Sequence, residues 1–144
     1  MFLLNNICLF LIWMILIVVC YTDIRFRIIH NSIVITVFII ILANFLIGSG
    51  ELNYIAALIF FVIGLLIFCF NIMGAGDIKL ISVLLLSLPT EQIWDFFILM
   101  TLLGLPLAIF ALIRKTITKS TVTIPYGVAI SLSYIIITYL KLAL

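Results

Sequence analysis

The chain has 144 residues, 68% of them hydrophobic and only 8% charged, with a formal net charge of +2. Soluble domains hold roughly 45–50% apolar and 25% charged residues, so a water-soluble fold of this length could not hide the apolar surface and the surrounding solvent must be lipid. The small charge gives no argument for a nucleic-acid partner, and the length leaves room for about six membrane helices of roughly 20 residues each but not for a soluble domain besides. An all-α, polytopic membrane protein is expected, with residues 1–144 as one membrane domain.

The first apolar run extends from Phe2 to Tyr21 and lacks the basic start of a secretory signal peptide, so it is expected to stay as the first helix. A polar cluster, TDIRFRIIHNS, separates it from a second run, Ile33 to Ile47, which GSGELN ends. The third run, Tyr54 to Phe70, ends in NIMGAGD. The fourth, IKLISVLLLSL, stops at Pro89; the 12 residues from Asp77 to Leu88 make roughly 18 Å of helix at 1.5 Å each, short of the hydrocarbon thickness. Either this helix continues past Pro89 toward Trp94, or its start sits below the membrane surface, with Asp77 inside the lipid slab and reached by a polar cleft. The fifth run, Ile93 to Ile113, contains Gly104 and Pro106, which are expected to bend or pack it. A basic loop, RKTITKST, leads into the sixth run, Ile124 to Leu140.

With six helices the loops alternate sides. Arg25, Arg27, Lys79, Arg114, Lys115 and Lys119 then share one side, and Lys141 stands on the other. The positive-inside rule makes the first side cytoplasmic and puts both termini outside. Glu51, Glu91 and Asp95 fall on the outer side, Asp23 and Asp77 on the cytoplasmic side. Cys8, Cys20 and Cys69 all lie in apolar runs without metal-ligand spacing; neither a metal nor an organic cofactor is expected.

Asp23 and Asp77 are the residues with chemistry to offer. A carboxylate within a membrane helix is costly and is usually paired, cavity-lining and functional. Two carboxyls held close together cannot easily both ionise, and a pair with one proton between them can activate water for attack on a peptide bond. The alternative reading is interfacial: Asp23 as a solvated loop acid paired with Arg25 or Arg27, and Asp77 as the N-cap of the fourth helix. Gly74, Ala75 and Gly76 lead up to Asp77; such small residues let a substrate backbone come close, or simply form a turn.

NIMGAGDIKL resembles the GxGD motif of the prepilin peptidases, a family of membrane aspartyl proteases, in which the last aspartate of the motif is catalytic and is followed by a Lys-Leu-like pair, here Lys79 and Leu80. DIRFRIIHN is similar to the stretch that the family's first catalytic aspartate opens, giving Asp23, Arg25, Arg27, Ile29 and Asn31. IPYGVAI resembles its Pro-Tyr/Phe-Gly element in the last helix, here Pro125, Tyr126 and Gly127. The resemblance implies that Asp23 and Asp77 are catalytic, with Gly74, Gly76, Lys79, Arg27, Asn31, Pro125, Tyr126 and Gly127 as motif or substrate-approach residues. It further implies a site in the inner membrane and a prepilin-like precursor, with a short basic leader and an apolar helix, as substrate. His30 stands where the family usually has proline, a loop replacement. Long members carry CxxC motifs linked to N-methylation of the product; this chain has none and resembles the short, peptidase-only members of tight-adherence pilus systems.

Away from the resemblance, Lys79 points roughly 200° around its helix from Asp77 and is expected to reach toward lipid phosphates, while Arg25 and Arg27 face headgroups or substrate. Two rival readings remain. A small transporter or proton-relay subunit would use the two aspartates with further polar residues along the helices, which are sparse here. A GxGD protease of another substrate class would share the motif without the DIRFRIIHN stretch.

Overall fold

A computed structural model describes residues 2–48, 50–70, 73–118 and 124–143. Among these the chain is all-helical, with six α-helices: α1 (Phe2–Phe26), α2 (Asn31–Leu46), α3 (Tyr54–Cys69), α4 (Ala75–Ser87), α5 (Thr90–Thr118) and α6 (Tyr126–Ala143). Three stretches, Leu3–Phe26, Thr90–Arg114 and Tyr126–Ala143, are long and apolar enough to cross a membrane. α2 and α3 are apolar but hold 16 residues each, about 24 Å of helix.

The helix starts and stops follow local chemistry. α1 runs on through the polar cluster instead of ending at Tyr21. Thr22 turns its hydroxyl back to the Val19 carbonyl at 3.1 Å, and the Arg27 N–H closes the last turn on the Asp23 carbonyl at 3.1 Å. Continuing the helix keeps backbone polar groups paired where lipid offers no partner. α3 begins at Asn53, whose side chain accepts from the Ala56 N–H as an N-cap. α4 does not continue toward Trp94: Leu88 turns extended with ψ 131°, as a residue before proline must, and α5 starts at Thr90. α4 is therefore a 13-residue helix, and the first of the two alternatives its length left open, continuation past Pro89, does not hold. Pro106 lies inside α5, while Gly104 is buried, and a Cβ there would be in ordinary van der Waals contact with Tyr126 and Ala129 of α6.

α1, α2, α4 and α6 surround the core, built from Leu16, Val19, Val37, Leu80, Ile81, Leu84 and Ile130. α3 lies outside α4 and α5 outside α6. Gly64 lets α3 come close to α4, since a Cβ there would stand 2.5 Å from Ile78 Cγ2. Two side-chain bonds tie α6 to its neighbours: Ser87 and Tyr134 hydroxyls meet at 2.7 Å, and Trp13 Nε1 donates to Thr138 Oγ1 at 2.8 Å. The exterior is a continuous apolar coat, including Phe10, Ile39, Leu58, Leu66, Leu102 and Phe110. Such a surface fits a lipid solvent and not water.

The alternation of helices brings the end of α1, the start of α4 and the start of α6 to one end of the bundle. Lys119, expected in the basic loop, lies outside the described residues, as do Asn71 and Ile72 ahead of the glycine-rich motif.

Candidate active site

Asp23 sits in the last turn and a half of α1 and is only 6% exposed. It is thus neither a loop residue nor solvated, contrary to the interfacial alternative. Its carboxylate lies against the N-terminus of α6. A Cβ built on Gly127 would be 2.8 Å from Asp23 Oδ2 and 3.0 Å from Cγ, so a glycine is required for this approach. The Gly127 and Val128 amides face the carboxylate, and a helix N-terminus favours a negative group at this position. Oδ2 is buried and has no hydrogen-bond partner among the described residues.

Asp77 is half-buried in the first turn of α4. The N-cap of that helix is Gly74, with φ −69° and ψ 144°, and not Asp77, which stands three residues further in. Its side chain folds back toward the cap: Oδ2 is 3.1 Å from where a Gly74 Cβ would lie, and the Gly74 amide interacts with it. This is the geometry of a residue at the third helical position reaching back to the cap backbone. The Asp23 and Asp77 carboxylates are close enough to interact electrostatically, although 54 residues of sequence separate them.

The remaining motif residues are distributed around this pair. Gly76 packs on the connection between α1 and α2, where its Cβ would be 3.1 Å from Ile29 Cβ. Lys79 points away from Asp77, as the helix spacing predicts, but its Nζ donates to Asn31 Oδ1 at 3.1 Å, joining the glycine-rich motif to the start of α2. Arg27 adopts φ 57°, the left-handed conformation that ends helices, and its charge acts on Asp23. Arg25 turns away to Tyr21, donating from Nη1 to the phenol oxygen at 2.8 Å. Pro125 precedes α6, where a fixed φ costs nothing. Tyr126 puts its ring on Gly104 of α5, 3.7 Å from a Cβ position there, and so packs the helix pair. His30 is exposed and gives α2 no side-chain cap.

Sequence reasoning missed two neighbours of Asp23. Cys20, one turn earlier on α1, and the buried Ser131, one turn beyond Gly127 on α6, lie together beside the carboxylate. The signal was present in the spacing: Gly127, Ser131, Tyr134 and Thr138 recur at the three-to-four-residue interval of one helix face. Polar residues on α6 are therefore gathered on one face, which the linear sequence spreads out. Tyr134 and Thr138 are bonded to α4 and α1, the use polar groups find as interhelical glue, while Ser133 bonds back within α6 to the Ile130 carbonyl.

Among the described residues, no three His, Cys, Asp or Glu side chains gather as a metal site would require. What the pair can do chemically is exchange protons with a water held between them. The sequence model of the type IV leader peptidase family matches residues 5–109, which takes in both aspartates but not Pro125, Tyr126 and Gly127. No curated protein and no solved structure matches the chain.

Proposed function

We propose, from the premise that the chain belongs to the type IV leader peptidase family and is a peptidase, that it is an aspartic-type endopeptidase of the inner membrane acting on prepilin-like precursors. The observation that carries this reading is that Asp23 from α1 and Asp77 from α4 stand at one end of the bundle within electrostatic reach of each other, both within the matched segment. Residues 1–144 act as one peptidase domain whose six helices cross the bilayer. Arg25 in the last turn of α1, Arg27 just after it, Lys79 on α4 and Arg114 and Lys115 late in α5 fall toward the aspartate end, and Lys141 stands at the other. By the positive-inside rule the aspartate end is cytoplasmic and both termini face outward.

In the reaction one carboxylate takes a proton from water as the water oxygen adds to the scissile carbonyl carbon. The other, protonated carboxyl gives its proton to the carbonyl oxygen. Collapse of the tetrahedral diol breaks the C–N bond, the leaving nitrogen takes a proton, and the pair returns to sharing one. Gly74, exposed beside Asp77, leaves room for the substrate backbone there, while Gly76 serves the packing on Ile29. The substrate enters from the side, its apolar helix in lipid and its basic leader at the cytoplasmic face, with the cut after a glycine at that boundary.

The test is cleavage of a purified precursor of this form by the detergent-solubilised protein, with each aspartate replaced by asparagine. A single cut at the leader boundary, lost in both variants, is the expected result. Normal cutting by a folded variant would sink the two-carboxylate mechanism and favour a proton-relay role for the pair.

A further inference from the structure

Helix α4 starts on weak footing. Gly74 and Gly76 flank its first helical residue, Ala75, and glycine is the poorest helix former after proline. The N–H groups of a first turn also lack intrahelical acceptors, so Ile78 makes the first such bond, to the Gly74 carbonyl at 3.2 Å. Asp77 stands in this turn. Leu80 and Ile81 beyond it are buried in the core. Ahead of them, Gly74 and Ala75 are exposed and Ile78 packs on Gly64 of α3.

Two contacts tie the turn toward α1 instead, and both land on one short stretch of chain. A Cβ on Gly76 would be 3.1 Å from Ile29 Cβ and 3.5 Å from the Ile29 carbonyl oxygen, and Lys79 Nζ donates to Asn31 Oδ1 at 3.1 Å. Ile29 and Asn31 belong to the stretch that leaves Asp23. The Asp23 carbonyl takes the Arg27 N–H, Arg27 turns left-handed at φ 57°, and α2 starts at Asn31. The path from Asp23 through Asn31 and Lys79 to Asp77 thus forms a ring whose last gap is the carboxylate pair.

The Lys79 bond matters because packing beside it is incomplete. Lys79 and Asn31 line a cavity of about 360 Å³ between α2, α3 and α4, with Val34, Ile35, Phe61 and Val83 as further walls. A bond from a charged donor is also among the stronger hydrogen bonds. We propose that Lys79 and Asn31 are positioning residues: their bond, together with Gly76 seated on Ile29, clamps the first turns of α4 to the chain leaving Asp23 and holds Asp77 in reach of it. The proposal rests on the peptidase reading. The rival use of Lys79, an ammonium reaching a lipid phosphate, needs the charge but not Asn31.

The experiment follows precursor cleavage, and backbone amide exchange from Gly74 to Leu80, in the full detergent-solubilised chain. Asn31→Ala leaves the ammonium and removes its acceptor; Lys79→Met removes the donor and keeps the stem. Each should lower kcat by roughly 5–30-fold with KM within about twofold, since misplacement by about 1 Å costs up to about 10²-fold. Each should also speed exchange in that segment. The double variant should be no worse than the worse single one, because the same bond is lost either way. Asn31→Asp, which keeps an acceptor for the ammonium, should recover most of the rate lost in Asn31→Ala. A loss in Lys79→Met with the wild-type rate in Asn31→Ala would overturn the clamp and give the lysine's charge to lipid. Additive losses, or unaltered rate and exchange in both variants, would overturn it as well. If the unaltered protein cuts no precursor, the peptidase reading fails by itself and the exchange data decide the clamp: faster exchange in both variants upholds it, and unchanged exchange overturns it.

Discussion

The two ends of the bundle are built from different materials. At the aspartate end, helices approach through absent side chains: Gly127 against Asp23, Gly76 against Ile29, and the bare Gly74 cap beside Asp77. At the far end, side-chain amides tie the connections together: Asn44 donates to Asn5, and Asn53 to the Leu88 carbonyl and Thr90 Oγ1. Close glycine contacts fix two carboxylates on rigid helix ends, which is what a reaction needs. Amide bridges join helix ends through polar groups, which is what a scaffold needs. A substitution at one end should therefore register in catalysis and at the other in stability.

The largest effect expected is at the pair itself. Asp23→Asn and Asp77→Asn keep side-chain size but remove proton exchange, and each should lower cleavage by roughly 10³-fold or more, with the double variant no worse than either single one. Glu51→Gln and Glu91→Gln at the far end should leave cleavage in detergent within about twofold. A comparable loss from a far-end variant would erase the contrast.

Gly127→Ala tests the close approach. The added Cβ meets Asp23 Oδ2 at 2.8 Å, so the carboxylate or α6 must shift. On the proposed mechanism, displacing this carboxylate should cost roughly 10–100-fold in kcat, with little change in KM for a substrate bound mainly by its apolar helix. Wild-type kcat in a folded Gly127→Ala protein would show that the contact has no part in aligning Asp23.

Gly64→Ala makes an even closer contact, 2.5 Å to Ile78 Cγ2, but between α3 and α4 and away from the carboxylates. It should destabilise by about 1–3 kcal/mol as overpacking does, while the rate per folded molecule changes little. Ile78→Ala in the same chain removes the clashing methyl and should recover part of the loss, a coupling that thermal unfolding in detergent measures.

Much of this was legible in the sequence. Six apolar runs became six helices because helix length and hydrophobicity are local properties, and both motifs came with their aspartates already in order. What the sequence left open was set by tertiary contact. The polar cluster after Tyr21 reads as a loop, but α6 covers Asp23 and lets α1 continue. Asp77 reads as a cap until Gly74 takes that place. The role of Lys79 needed Asn31, 48 residues away. Asn5, Asn6 and Asn44 were visible as amides near the ends of apolar runs, yet only the fold shows that they line one far-end cavity with Gln92.

The smallest effect expected is at His30, and it separates a residue of the site from a residue merely near it. His30 lies between the two motifs' contacts, four residues beyond the end of α1 and just before Asn31. Its backbone, φ −70° and ψ 133°, is within the range a proline ring imposes. Its N–H donates to no backbone carbonyl among the described residues, while its carbonyl, which proline keeps, accepts from Ile33 and Val34 at 3.0 and 3.4 Å. Its imidazole caps nothing. His30→Pro should therefore stabilise the fold by about 0.4–1 kcal/mol, chiefly by restricting the unfolded chain, and leave cleavage and its pH profile unchanged. A fall in the unfolding temperature would mean that Ile29, which a following proline confines to extended backbone, needs another conformation to pack on Gly76. A changed pH profile at unaltered stability would instead mean that the imidazole serves the aspartates, and the site would extend beyond the glycine contacts that define it here.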